Sequence, residues 1–238
     1  MMSFAAYLSG VRLISRTFIY DRVIYMLVYI IFTLHVLLIN TSTTGYVVYF
    51  LLMGLWFVQH TSRMQMLLGA IFLTAILSLG LIYSNVMYVK ASQTISELKI
   101  FHTSNKPKLR NTSLGYRMQF HAYAKKLYLR HPWIGNGTGS FTRLYAIEGP
   151  IPAWSWRLTE PHSQYWLVAS EWGLLGCLGL FAFFLSLFFA AFRLTNMRST
   201  AIALLISFMA CCLTDSFLLY SGTGYFFILM MALCLGEY

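Results

Sequence analysis

Acidic side chains are scarce in this chain. Seven Asp and Glu stand against seventeen Lys and Arg in 238 residues, and charged residues make up only 10%. Ordinary soluble domains carry about 25%, so so little charge argues against a soluble globule. Cysteine is sparse as well: Cys177, Cys211, Cys212 and Cys234 lie inside apolar runs, with no Cys-x-x-Cys pair and no His-rich partner segment. That pattern indicates neither a disulfide framework nor a zinc site. In the polar segments no Asp, Glu and His cluster has metal-ligand spacing, so neither metal nor cofactor is expected. The run Gly135-Asn136-Gly137-Thr138-Gly139 lacks the Lys-Ser/Thr of a phosphate loop and has no βαβ frame, so it reads first as a tight turn after Pro132. Internal repeats and paired interrupted helices, the marks of many transporters, are absent from the sequence pattern.

What is present is apolar. Hydrophobic residues form 58% of the chain and the mean hydropathy is +0.66, the composition of a polytopic membrane protein. Apolar runs occupy residues 23–39, 45–58, 64–83, 165–192, 199–219 and 225–238, most of them near the roughly 20 residues that cross a bilayer as a helix. The expected fold is therefore all-α, with about six transmembrane helices and one long, partly helical periplasmic loop. Residues 1–22 read as an amphipathic start lying on a surface, or as a helix cut short by a truncated reading frame. Residues 23–83 and 164–238 each supply three crossings, and 84–163 form the loop.

Orientation follows from the short connections, which retain Lys and Arg on the cytoplasmic side. Arg16 and Arg22, then Arg63, then Arg193 and Arg198 mark three cytoplasmic turns. Alternation exports the long loop. Eleven of the seventeen basic residues fall between Lys90 and Arg157. Beside a membrane, this concentration points to phosphates of lipids or lipid-linked sugars and not to nucleic acid.

Within the loop, residues 114–129 have the period of an amphipathic helix, with Tyr116, Phe120, Tyr123 and Leu127 on one face. Arg117, Lys125, Lys126, Arg130, Arg143 and Arg157 form a basic set. Each alone reads as a solvated charge; together they suit a diphosphate, which the planar guanidinium fork binds well. His35, His60, His102, His121 and His131 lack ligand-like spacing and read as structural. His162 differs. The run Glu160-Pro161-His162-Ser163-Gln164 precedes the longest apolar stretch. Glu160 is expected to cap the helix and Pro161 to occupy its first position. His162 would then lie in the first turn, where the helix end opposes its protonation and leaves a neutral imidazole as a general base.

Two patterns carry a family resemblance. His162-Ser163, nine residues, Gly173, two residues and Gly176 resembles the signature of the O-antigen ligase and polymerase family. Upstream, 113–120 around Arg117 and 131–141, with His131-Pro132 and the glycine turn, resemble that family's arginine helix and its His-Pro-x-x-Gly-x-Gly turn. The resemblance covers residues 40–238. It implies glycosyl transfer at the outer face of the bacterial inner membrane, without a metal ion, from an undecaprenyl-diphosphate-linked glycan to a sugar hydroxyl of lipid A-core. In a polymerase the acceptor is another lipid-linked glycan.

The resemblance also implies roles. His162 would accept the proton of the attacking hydroxyl, and Arg117 would hold the diphosphate. Gly135, Gly137 and Gly139 would shape the pocket, with Arg143, Arg157 and Asp215 as further substrate-binding residues. As a partner for His162, Asp215 is better placed than Glu171: it stands near the outer end of its helix, where an intramembrane carboxylate is costly and suggests function. Glu171 is a poor partner, because nine helical residues turn it to the opposite face. Two departures stand out. The family's Ser-Arg-Thr-Gly is matched here by Ser42-Thr43-Thr44-Gly45, without the arginine, and family members have more helices. The chain therefore reads as the C-terminal part of a split or truncated gene, with an N-terminal half as a partner. The alternative from another class is a non-enzymatic membrane subunit whose basic loop binds anionic lipid.

Overall fold

The structure is a computed structural model that describes residues 2–15, 18–40, 42–60, 62, nine positions between 64 and 83, 85–103, 111–151, 154 and 158–237. The described residues are helical, with no strand among them. Two compact units, Met1–Gln93 and Thr94–Tyr238, divide the chain.

The first unit contains α1 (Met2–Ser15), α2 (Ile19–Leu34), whose end widens into a π-helical turn (His35–Ile39), and α3 (Thr43–His60). Helix α1 packs on both of the others. Phe4, Ala6, Tyr7 and Ser9 are buried in its packing against α2 and α3. Ser3 Oγ donates to the Gly45 carbonyl at 3.1 Å and the Tyr7 hydroxyl to Gln59 Oε1 at 2.6 Å. Its small residues, Ala6, Ser9 and Gly10, allow this close approach. Helix α2 has no buried residue, and Ile24, Leu27 and Ile31 are exposed along it. A helix that packs on α1 along one side and leaves apolar side chains exposed along the other suits a lipid environment. Thr43, which stands where the family carries arginine, is the first residue of α3. Arg63 and most of the apolar run 64–83 lie outside the described residues.

Helix α4 (Asn85–Thr103) runs into the second unit, where Glu97 Oε2 accepts the N–H of Leu114 at 2.9 Å. A carboxylate there complements the start of α5 (Ser113–Arg130), which Thr112 caps through Gly115 N–H. The amphipathic helix expected over 114–129 is this one. Phe120, Tyr123, Ala124 and Leu127 are buried at three- and four-residue spacing, against Phe141 and Tyr145 of α6 (Ser140–Glu148) and Leu167 of α7 (Gln164–Arg193). Each large apolar side chain so buried contributes about 1.5–3 kcal/mol. Arg130 clamps the far ends of α5 and α6 together, giving Glu148 a bidentate ion pair at 2.5 and 2.9 Å.

Helix α7 is interrupted at Gly173, whose φ of 61° and ψ of −153° are not helical. Helices α8 (Arg198–Cys211) and α9 (Ser221–Leu235) pack on each other and on α7, with Phe208 and Phe227 stacked at 3.9 Å. By length and composition α2 with its π turn (Ile19–Ile39) and α7 can cross a membrane, whereas α3, α8 and α9 are apolar but shorter. The sequence expectation of six crossings is thus matched by two full-length helices among the described residues.

Candidate functional site

Helix α7 does not begin where the Glu-Pro pair suggests. Ser163 is its N-cap, with Oγ 3.5 Å from the Trp166 nitrogen. Glu160 and Pro161 therefore lie outside the helix. His162 stands just before the cap with φ 54°, the one left-handed non-glycine residue among those described. For a residue with a Cβ this backbone costs about 1–2 kcal/mol, so its surroundings must hold it.

The holding group is Glu160. Its side chain is 2% exposed, and its Oε2 accepts the backbone N–H of His162 at 2.8 Å and the Ser216 hydroxyl at 2.5 Å. Oε1 accepts the Tyr220 hydroxyl at 3.0 Å and stands 3.0 Å from Nδ1 of His162. Asp215 Oδ1 lies 3.3 Å from the same Nδ1 and accepts the Ser216 N–H at 3.0 Å. Nδ1–H thus faces two carboxylates, and in the neutral ring the lone pair is on Nε2. The turn after α8 that presents Asp215 is docked on the start of α7. Gln164 N–H donates to the Cys212 carbonyl at 2.9 Å, and Leu218 N–H to Gln164 Oε1 at 3.1 Å.

The electrostatics depart from the sequence expectation. His162 holds its proton above the usual imidazole range because of the hydrogen bond to Asp215, against the opposing effect of burial. Glu160 and Asp215 add to the rise by their charge, and Arg117 opposes it. The two carboxylates outweigh burial and Arg117 together. Burial pushes Glu160 up, only partly offset by the Ser216 hydrogen bond and the His162 charge. Burial also pushes Asp215 up, but hydrogen bonds from His162, Glu160 and Ser216 outweigh it, and its pKa falls. Asp215 is therefore the more acidic member of the carboxylate pair.

Helix α5 closes the other side. Phe120 places its ring 5.8 Å from that of His162, and His121 Nε2 is 3.3 Å from the His162 carbonyl. Burial lowers the His121 pKa, with the charges of His162 and Arg117 acting in the same direction and the His162 carbonyl bond against them. His121 is then the neutral donor to that carbonyl. Arg117, half-buried one turn before His121, acts on both histidines.

The remaining sequence candidates divide. Arg143 is exposed on α6, and Arg157 lies outside the described residues. The glycine turn does not present free amides. Gly135 N–H donates to the His131 carbonyl at 2.8 Å and Gly137 N–H to the Glu171 carbonyl at 2.8 Å, while the Gly139 amide bonds the Glu171 carboxylate. Asn136 adds bonds to the carbonyls of Ser170 and Leu127 at 2.8 and 2.9 Å. The turn is a clamp on the interrupted helix. Glu171 also accepts Phe141 N–H at 3.4 Å, away from His162. Beside the clamp, a cavity of about 540 Å³ runs along α7 past Gln164, Leu167, Glu171, Gly176, Leu180 and Phe183.

The expectation that no metal-ligand cluster exists is overturned. Glu160, His162 and Asp215 offer three donor atoms within 4.8 Å of one another. Their oxygens, however, already receive N–H and O–H donors, and Nδ1 sits at hydrogen-bond distance from both carboxylates. The arrangement is that of a hydrogen-bonded triad. Sequence reasoning missed Glu160, His121, Ser216 and Tyr220. Only the four-residue step from Arg117 to His121 could have signalled any of them.

An interrupted apolar helix with a half-buried histidine–carboxylate triad at its head and an arginine helix across from it defines a membrane-associated candidate enzyme. A family model described as O-antigen ligase matches residues 26–181, and the chain belongs to that family. Its function is accordingly of the O-antigen ligase or polymerase type, in a glycosyltransferase-like family associated with membranes. No curated protein matches the chain significantly.

Proposed function

We propose that this protein transfers a glycan from undecaprenyl diphosphate to a sugar hydroxyl of lipid A-core, at the periplasmic face of the bacterial inner membrane and without a metal ion. The observation that carries the reading is the His162 ring, held through Nδ1 by Asp215 and Glu160 at 3.3 and 3.0 Å, under the influence of Arg117. In this reaction Nε2 takes the proton of the attacking hydroxyl as its oxygen bonds the anomeric carbon. The bond from that carbon to the diphosphate breaks, and the electron pair leaves on the diphosphate. Asp215 and Glu160 stabilise the imidazolium, and Arg117 stabilises the charge on the leaving group. In this reading about six helices cross the membrane and 84–163 is periplasmic. The apolar cavity along α7 suits the lipid-linked donor. Arg143 and Arg157 add positive charge along the donor's approach, and a separately encoded N-terminal half is a candidate partner.

The test is transfer by His162→Ala in membranes supplied with the lipid-linked glycan and lipid A-core. Loss of the positioned base should lower the rate by about 10²- to 10⁴-fold. Transfer at the parental rate would refute the assignment. Incorporation into a second lipid-linked glycan, with none into lipid A-core, would instead identify a polymerase.

A further inference from the structure

The break in α7 has a second partner besides the glycine clamp. Leu174 N–H donates to the Pro132 carbonyl at 2.7 Å and Leu175 N–H to the Trp133 carbonyl at 3.1 Å. Gly173 makes this possible, because a Cβ there would come within 2.6–2.8 Å of Gly135 N, Trp133 C and Ile134 N. Backbone from residues 132–133 thus supplies the acceptors that a helix lacks at its start. From Leu174 to Arg193 there are twenty residues, about 30 Å of helix, the thickness of a bilayer's hydrocarbon core. No amide can be left unbonded in that medium. The first amides of this span are bonded by the turn, so the turn lies at the depth where the span begins. Its side chains suit that depth. Trp133 and Ile134 are 67% and 70% exposed, with Leu129, Trp172 and Leu175 exposed nearby, and tryptophan concentrates where hydrocarbon meets headgroups.

We propose that the Trp133–Ile134 turn is a membrane-interface wedge, inserted among the phospholipids at the boundary of headgroups and acyl chains. Through its bonds to Leu174 and Leu175 it fixes how far the site stands above the bilayer. The segment Gln164–Trp172 then lies outside the hydrocarbon, and His162 stands up to about 14 Å above it. The proposal rests on the reading of α7 as a membrane span, but not on the transfer chemistry.

The experiment uses the full chain with its four cysteines replaced by alanine, reconstituted in phosphatidylcholine–phosphatidylglycerol vesicles. Single cysteines replace Ile134, Leu185 in the span and Lys125 on the exposed face of α5, and each carries an environment-sensitive fluorophore. Nitroxide lipids labelled near the headgroup should quench the Ile134 probe more strongly than lipids labelled deep in the chain, and aqueous iodide should quench it little. The Leu185 probe should respond to the deep label and the Lys125 probe to iodide. A Trp133→Cys probe should repeat the Ile134 pattern if labelling at 134 perturbs folding. Iodide quenching of both turn probes equal to that of Lys125 would overturn the wedge. Quenching of the turn probes by neither reagent would overturn it too, since protein would then cover the turn. A Leu185 probe untouched by deep nitroxide would remove the span itself, and the wedge with it. The same pattern in His162→Ala separates all of these outcomes from failure of the transferase reading.

Discussion

Glu160 and His162 are joined twice: the backbone N–H of His162 donates to Oε2 at 2.8 Å, and its ring Nδ1 stands 3.0 Å from Oε1. One buried carboxylate thus fixes both a left-handed backbone and the orientation of the ring that it carries. The neighbours of Glu160 are few and specific, so its removal should be legible in the reaction.

Glu160→Gln keeps the shape and an acceptor oxygen but removes the charge. Because the Glu160 charge helps to hold the His162 pKa up, the neutral amide should let it fall. The base must be unprotonated at Nε2 to act, so the acid limb of the pH–rate profile should move to lower pH. A profile in reconstituted vesicles checks this, and an acid limb moved to higher pH would contradict the stated direction. Glu160→Ala should do more. It leaves the Ser216 and Tyr220 hydroxyls and the His162 N–H without their acceptor, at about 1–3 kcal/mol for each that stays buried and unsatisfied.

Much of this site was invisible in the sequence for a physical reason. Glu160 and Asp215 are brought together only by the docking of the turn after α8 on the start of α7, and no local pattern reports such a contact. The Glu-Pro pair imitated a helix start, but Ser163 caps the helix and Pro161 belongs to the turn before it. Gly173 was visible as part of a family pattern, yet hydropathy cannot register a break inside a continuous apolar run. By contrast, α5 was legible, because its packing is written in the spacing of Phe120, Tyr123 and Leu127, and so was the order of Arg117 before His162.

Arg117→Lys preserves a positive charge across from His162 but loses the planar fork. If it binds the diphosphate leaving group, loss of one charge-assisted hydrogen bond of about 1.5–3 kcal/mol should lower kcat roughly 10- to 150-fold. Arg143→Lys, on an exposed face of α6, should change it little. Equal effects of the two substitutions in the same transfer assay would deny Arg117 a distinct role.

Gly135 and Gly137 both have positive φ, at 71° and 94°, but only Gly135 is crowded. A Cβ at Gly135 would collide with the Glu171 and Trp172 backbone, whereas none of the surrounding atoms comes within 4 Å of one at Gly137. Gly137→Ala should cost only the conformational penalty of about 1–2 kcal/mol. Gly135→Ala should cost more and separate the turn from the break in α7. Thermal unfolding in detergent should rank the parent above Gly137→Ala, and that above Gly135→Ala. Equal melting temperatures for the two variants would argue against a clamp.

Glu160, His162 and Asp215 could be read as three ligands awaiting a cation, since their donor atoms lie within 4.8 Å. The hydrogen bonds favour the other reading. Nδ1 cannot both donate its proton to Asp215 and give a lone pair to a metal, and the hydroxyls of Ser216 and Tyr220 already point at Glu160. Transfer should therefore be unchanged after exhaustive chelation. Asp215→Asn offers a second readout. The amide oxygen can still accept from Nδ1, so the ring should stay oriented while the rise in its pKa is reduced. The acid limb of the rate should then move to lower pH, with activity weakened and not abolished. A protein inactivated by chelator and restored by one particular divalent ion would show instead that the three side chains are ligands.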